Sequence, residues 1–336
     1  MFRTARAVDD PPLPLLITGV SGVVGYHAVE YFQSRYPGRV VAIRQHDNWK
    51  LTGPSVVPCD AEDRRGLREL FDRYQFAGVL NCAGNCALKA SELEPAMAWR
   101  INVESVRNLV EIARQRGTRF VHLSVDLVFS GLGSGGHLED DPTDPVTVYG
   151  KTMVAAERLI SERLPAACIL RISLPMGISF NGHAGAIDWI QSRFKKSKPA
   201  TLYIDEIRTP TYTDCLSRLC QDVLARDLSG IYHAGAPRPL SLFQVAQVIN
   251  RVGGYPAHCL VGCPRVDAGP MPPRAGNVTM NSGKLASALG YEPMHAWPYD
   301  DRYAPTHATW HHERPADEPG SPELLASILY RNPLWY

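Results

Sequence analysis

Three glycines and two hydroxyl side chains are the residues of this chain whose types and spacing could do chemistry. Gly19, Gly22 and Gly25 follow an apolar run at residues 13–17 and precede a helical pattern through Val24, Ala28, Tyr31 and Phe32. A buried strand that feeds a glycine-rich turn and opens a helix gathers unpaired backbone N–H groups and the positive helix end at one point. That point suits a pyrophosphate. Gly19 permits the sharp turn, Gly22 lets a phosphate approach the backbone, and Gly25 lets the helix lie close to the sheet. Ser124 closes a later apolar run, and Tyr149 opens a helix some 25 residues further on. A tyrosine hydroxyl can pass a proton to a carbonyl oxygen while a nicotinamide delivers hydride to the carbon, and a serine hydroxyl can orient that oxygen.

These residues need strands and helices to bring them together. Apolar runs at 39–43, 56–60, 78–84, 119–124 and 167–172 read as strands, and helical patterns lie at 64–74, 94–116 and 149–164. Such alternation predicts an α/β fold, a doubly wound parallel sheet of Rossmann type. Its ligand should lie beyond the carboxyl ends of the strands, where Gly19, Gly84 and Ser124 fall. Residues 296–336, rich in Pro, His, Asp and Glu, read as an extended appendage. The strand at 39–43 ends on Arg44, with Asp47 three residues later. Arginine at that place suits a ribose 2′-phosphate, whereas an acidic residue suits a 2′-hydroxyl, so NADP is expected ahead of NAD.

Composition narrows the classes. A formal charge of +1 offers nothing for nucleic acid or an anionic membrane, and no apolar run approaches a membrane-spanning length. The eight cysteines form no CxxC pair, and the first twelve residues hold no apolar signal core. Free buried thiols and a cytoplasmic location are therefore expected. His307, His311 and His312 read as part of a polar tail, without a metal.

Seven segments carry a resemblance: Thr18-Gly-Val-Ser-Gly-Val-Val-Gly25, Asn81-Cys-Ala-Gly84, Ile101-Asn-Val103, the run from Val121 to Phe129, Pro145-Val-Thr-Val-Tyr-Gly-Lys-Thr152, Thr209-Pro-Thr-Tyr212 and Gly230-Ile-Tyr-His233. Pro273-Arg-Ala-Gly-Asn277 and Asn281-Ser-Gly-Lys-Leu285 add to it. In this order the chain resembles the extended short-chain dehydrogenases/reductases, and among them the dTDP-4-dehydrorhamnose reductase group. The resemblance implies an NAD(P)-binding domain at 13–176, with 212–237 returning to it, a smaller C-terminal substrate lobe from 177–211 and 238–295 for a nucleotide-activated sugar, and reduction of a 4-keto group. The candidate catalytic residues are then Tyr149 and Ser124. The candidate cofactor-binding residues are Gly19, Ser21, Gly22, Val23, Gly25, Arg44, Asp60, Ala83, Gly84, Asn102 and Tyr149. The expected partner is a nucleotide-sugar-like small molecule, and a homodimer is compatible.

The chain departs from the family pattern at two positions. A serine-threonine-aspartate run, with the threonine catalytic, is here Ser124-Val125-Asp126, and Met153 replaces the lysine four residues after the tyrosine. That lysine would lie one helical turn from Tyr149, hold the cofactor ribose and lower the tyrosine pKa. Lys151 points elsewhere, about 200° round the helix. Three functions stay open: a sugar-nucleotide reductase using Tyr149, an epimerase, or a binding protein without turnover that serves regulation or assembly.

Overall fold

Apolar runs too short for helices and buried on both faces form the strands of a parallel sheet. In this computed structural model, which describes residues 9–84, 86–182, 185–269 and 271–335, they are Leu15–Thr18 (β1), Val40–Arg44 (β2), Val56–Pro58 (β3), Gly78–Asn81 (β4), Arg119–Val125 (β5) and Cys168–Ile172 (β6). Short strands follow at Pro175–Met176 (β7), Ala200–Tyr203 (β8), Ile207–Arg208 (β9) and Thr211–Tyr212 (β10). Gly230–Ala234 (β11), Leu240–Ser241 (β12) and Leu260–Cys263 (β13) complete the set. The main sheet runs β11-β6-β5-β4-β1-β2-β3 with every pairing parallel. The order turns round between β1 and β4, so the switch point lies beyond Thr18 and Asn81.

The helices are Val23–Arg35 (α1), Arg64–Tyr74 (α2), Leu88–Leu93 (α3), Pro95–Trp99 (α4), Ser105–Arg116 (α5) and Val148–Arg163 (α6). Ala186–Lys195 (α7), Thr213–Ala225 (α8), Leu242–Val252 (α9), Gly283–Leu289 (α10) and Pro322–Leu329 (α11) follow. Local chemistry sets their starts: the Asp63 carboxylate accepts from the amides of Arg65 and Gly66, the Thr147 hydroxyl from Gly150, and Ser241 forms a capping box with Gln244. Strand alternation divides the core. Leu15 and Ile17 pack with Ala28 and Phe32 of α1 and Leu216 and Leu219 of α8. Leu16 faces the other side, with Leu67 of α2, Leu109 of α5 and Ile160 of α6. Among the described residues no helix is long and apolar enough to cross a membrane.

The helix expected at 94–116 is interrupted. α4 passes through a π-helical turn, Arg100–Glu104, into α5, and the π turn carries Asn102. Residues 177–211 and 238–295 add α7, α9 and the β8–β13 pair, while α8 and β11 lie on the main sheet. The segment from Ala296 onward corrects an expectation, since it packs on the body instead of extending from it. Trp297, Leu325 and Leu329 are fully buried, and the Arg314 guanidinium donates to the carbonyls of Asn250, Arg251 and Tyr255, capping the end of α9. A few widely spaced apolar anchors and one arginine suffice to dock a segment whose average composition is polar.

Candidate active site

The turn after β1 is built as its glycines require. Gly19 has φ +69°, and a Cβ there would lie 2.4 Å from the Cys82 carbonyl. A Cβ on Gly25 would lie 2.2 Å from the Gly19 oxygen, so α1 can approach the strand only without one. Gly22 differs. Its backbone is extended at φ −79°, and its Cβ would meet only the Gly19 oxygen, at 3.4 Å. Packing does not demand glycine there; the space it leaves faces the open end of the helix. α1 has no side-chain cap and no acidic residue in its first turn, so its leading N–H groups are left for an anion. Ser21 is half-buried beside them. Val23 is covered by the segment after β7: Cβ atoms on Gly177 and Gly185 would fall within 2.9 Å of its methyl groups.

At the end of β2, Arg44 donates from Nη1 to the carbonyls of Gln45 (2.9 Å) and His46 (3.3 Å). Asp60 turns to the same loop, accepting from the His46 amide at 3.1 Å and meeting the His46 ring at 3.0 Å. Asp60 therefore fixes the loop that carries Arg44. Beyond β4, the Ala83 amide donates to Asn81 Oδ1, which also receives the Thr18 hydroxyl at 2.5 Å. Asn81 Nδ2 lies 2.9 Å from His122 Nδ1, so one polar chain crosses the three central strands.

Four residues meet at Gly84. A Cβ on it would lie 3.8 Å from Asn102 Oδ1, 3.9 Å from Met153 Sδ and 4.0 Å from the Tyr149 hydroxyl. The π turn aims Asn102 inward, where its amide donates to Thr152 Oγ1 at 2.8 Å. Tyr149 is 5% exposed, packed with Leu127, Val128 and Met153 and with Ala275 and Val278 from later in the chain. Burial raises its pKa well above the ordinary tyrosine value; Cys86 and Asp126 push the same way and Arg208 opposes them.

Ser124 is elsewhere. Its hydroxyl donates to Glu157 Oε1 at 2.5 Å, and Glu157 is held by Arg171 through Nε (3.0 Å) and Nη2 (2.8 Å), all three buried. The expectation that Ser124 orients a carbonyl does not fit this geometry, because its proton is already committed to a carboxylate. Residues the sequence reading passed over stand nearer the tyrosine. Asp126, fully buried, accepts from Ser173 Oγ (2.6 Å), Arg208 Nε (2.6 Å) and Arg208 Nη2. Asp126 was visible in the Ser-Val-Asp run, but Arg208, 82 residues away, carried no local signal.

A family model described as the RmlD substrate binding domain matches residues 13–300. The chain is 32% identical over 228 residues to a dTDP-4-dehydrorhamnose reductase of Streptomyces griseus, covering 65% of this chain and 69% of that one. It is 23% identical over 291 residues to methionine adenosyltransferase 2 subunit beta of Danio rerio, covering 83% and 85%. Among solved structures, a dTDP-4-dehydrorhamnose reductase of Bacillus anthracis in complex with NADP has a TM-score of 0.70 at 20% identity, over 84% of this chain and 95% of that one, a likeness of fold. With the glycine turn, the Gly84–Asn102–Tyr149 meeting point and a family match over most of its length, the chain belongs to the RmlD substrate-binding-domain family of extended short-chain dehydrogenases/reductases.

Proposed function

We propose that the chain is an NADP-dependent reductase of the 4-keto group of a nucleotide-activated deoxysugar. Its residues fit the cofactor on one structural ground: the turn leaves open the single glycine position that packing does not require, in front of an uncapped helix N-terminus. The turn from Gly19 to Gly25, with Ser21 and Val23, would hold the pyrophosphate. Arg44, on the loop fixed by Asp60, would take the 2′-phosphate end, and Ala83, Gly84 and Asn102 the nicotinamide side. Bound there, NADPH supplies hydride.

The observation that carries the proposal is Tyr149, a buried phenol at the meeting point with Gly84 and Asn102. Burial keeps it protonated, the state in which it donates a proton to a carbonyl oxygen. An epimerase would use the same phenol in reverse, first taking a proton from a hydroxyl; the family match and the reductase among the relatives support reduction. A second reading, a binding subunit without turnover, draws on Val125 and Met153 and on the similarity to an adenosyltransferase subunit.

The two separate in one assay. The reductase oxidises NADPH in the presence of some member of a panel of 4-keto-6-deoxysugar nucleotides, and Tyr149→Phe lowers the rate by about 100- to 10,000-fold. NADPH binding without turnover across the panel would leave the subunit reading standing.

A further inference from the structure

Asn102 and Tyr149 reach the meeting point at Gly84 from different elements, and one hydroxyl joins them. Thr152, buried on α6, donates from Oγ1 to the Tyr149 carbonyl at 2.7 Å. Nδ2 of the Asn102 amide lies 2.8 Å from the same Oγ1. A threonine hydroxyl has one proton and two lone pairs. Its proton is committed to the Tyr149 carbonyl, so towards Asn102 it can only accept. The amide must then turn Nδ2 to Thr152, which puts Oδ1 on the opposite side, towards Gly84 and 3.8 Å from where a Cβ would stand.

That orientation decides what the site offers. The three groups nearest the Gly84 position are Asn102 Oδ1, Met153 Sδ at 3.9 Å and the Tyr149 hydroxyl at 4.0 Å. The phenol is the proton donor of the reduction, and a thioether is a weak acceptor with no proton to give. The asparagine carbonyl is the strong acceptor of the three. The nicotinamide riboside half of a dinucleotide carries hydroxyl and carboxamide N–H donors, which need such an acceptor. Reversed, the amide would set its own N–H groups against them. Asn102 is 1% exposed on the π turn Arg100–Glu104, so protein contacts and not bulk water govern its orientation. A valine at 152 would keep the shape of the threonine and lose both hydrogen bonds, and the amide would lose the partner that decides which way it faces.

We propose that Thr152 is a positioning residue, which fixes the Asn102 amide so that its carbonyl faces the nicotinamide riboside half of the cofactor. The role rests on the cofactor reading above and deepens it. The same hydroxyl ties Asn102 to the first turn of α6 through the Tyr149 carbonyl, so the acceptor and the phenol keep one register.

The experiment is calorimetric titration with two probes: NADPH, and 2′-phosphoadenosine 5′-diphosphate, which is the cofactor without its nicotinamide riboside. Thr152→Val should weaken NADPH by about fivefold or more and leave the shortened probe within about twofold of wild type. Thr152→Ser keeps the hydroxyl and should bring NADPH back to within about twofold. With Asn102→Ala there is no amide to orient, so adding Thr152→Val should change NADPH affinity by less than about twofold. Equal weakening of both probes is what a loosened fold gives, and it would overturn the role. So would an unchanged NADPH affinity in folded Thr152→Val, or a full further loss on top of Asn102→Ala. If Thr152→Val does not fold, Thr152→Ala set against Thr152→Ser makes the same comparison. A wild type that binds the shortened probe as tightly as NADPH has no nicotinamide contact to position, which removes the role and leaves the glycine turn as a phosphate site. A wild type that binds neither probe removes the cofactor reading, and the role with it. Turnover enters none of these comparisons, so failure of the reductase chemistry and failure of this role are told apart.

Discussion

Replacing Gly22 and Gly25 by alanine, one at a time, should separate binding from folding within a single turn. At Gly25 the added methyl would sit 2.2 Å from the Gly19 oxygen and 2.6 Å from its carbon, both backbone atoms that cannot yield without lifting α1 from β1. Overpacking of that severity costs about 1–3 kcal/mol or more. At Gly22 the backbone is already extended and the methyl stops 3.4 Å from the same oxygen, so stability should stay within about 0.5 kcal/mol. The methyl instead enters the space before the helix end, where a pyrophosphate would have to retreat from the amides. A tenfold loss of affinity, about 1.4 kcal/mol, is the least expected. Urea midpoints report the first effect and quenching of protein fluorescence by NADPH the second. Should Gly22→Ala bind NADPH within twofold of wild type, the anion does not lie against this turn.

Acid should destabilise the chain through its buried histidines. Burial pushes His122 down to about 4 from 6.5, and His233 and His311 shift the same way. Between those pH values the unfolded chain binds protons that the folded one refuses, so stability is full above pH 6.5 and is lost as pH falls towards 4. The His122 share is about 3 kcal/mol at pH 4, and urea midpoints for His122→Gln should vary less with pH over that window. Ser124→Ala should lower stability by about 1.5–3 kcal/mol through the lost bond to Glu157, yet leave kcat within a few-fold; a hundredfold loss would return Ser124 to the reaction. Trp297→Ala should cost about 3–5 kcal/mol because the indole is fully buried, whereas under 1 kcal/mol would mark the tail as dispensable. Arg44→Ala should weaken NADPH far more than NADH in calorimetric titrations; equal losses would detach Arg44 from the 2′-phosphate.

What the sequence discloses here are features made by neighbours in the chain. The ends of α2 coincide with those read from the sequence, and those of β2, β5, β6 and α6 fall within one residue. Asp63 caps α2, and Thr147 caps α6. The glycine turn is equally local, since strand, turn and helix are consecutive. Side-chain pairing across the fold is not. Ser124 finds Glu157 33 residues away and Asp126 finds Arg208 82 away, and nothing in either neighbourhood announces the partner. The π turn at Asn102 leaves the apolar spacing of a helix nearly intact, so it too passes unseen. The tail misled for a different reason: Trp297 stands singly among polar residues, and the face that Leu325 and Leu329 build on α11 spans only two turns of a segment whose composition is polar.

Three consecutive residues at the end of β5 show how the site is apportioned. Ser124 is given to Glu157 and Arg171, which secure α6 to β6. Val125 faces the apolar cluster around Tyr149 and offers no hydrogen bond to a substrate. Asp126 is given to Arg208 of β9. Of the three, only the middle residue adjoins the reacting region without being tied to a charge. Orientation of a substrate carbonyl would therefore have to come from contacts other than the side chain of residue 125.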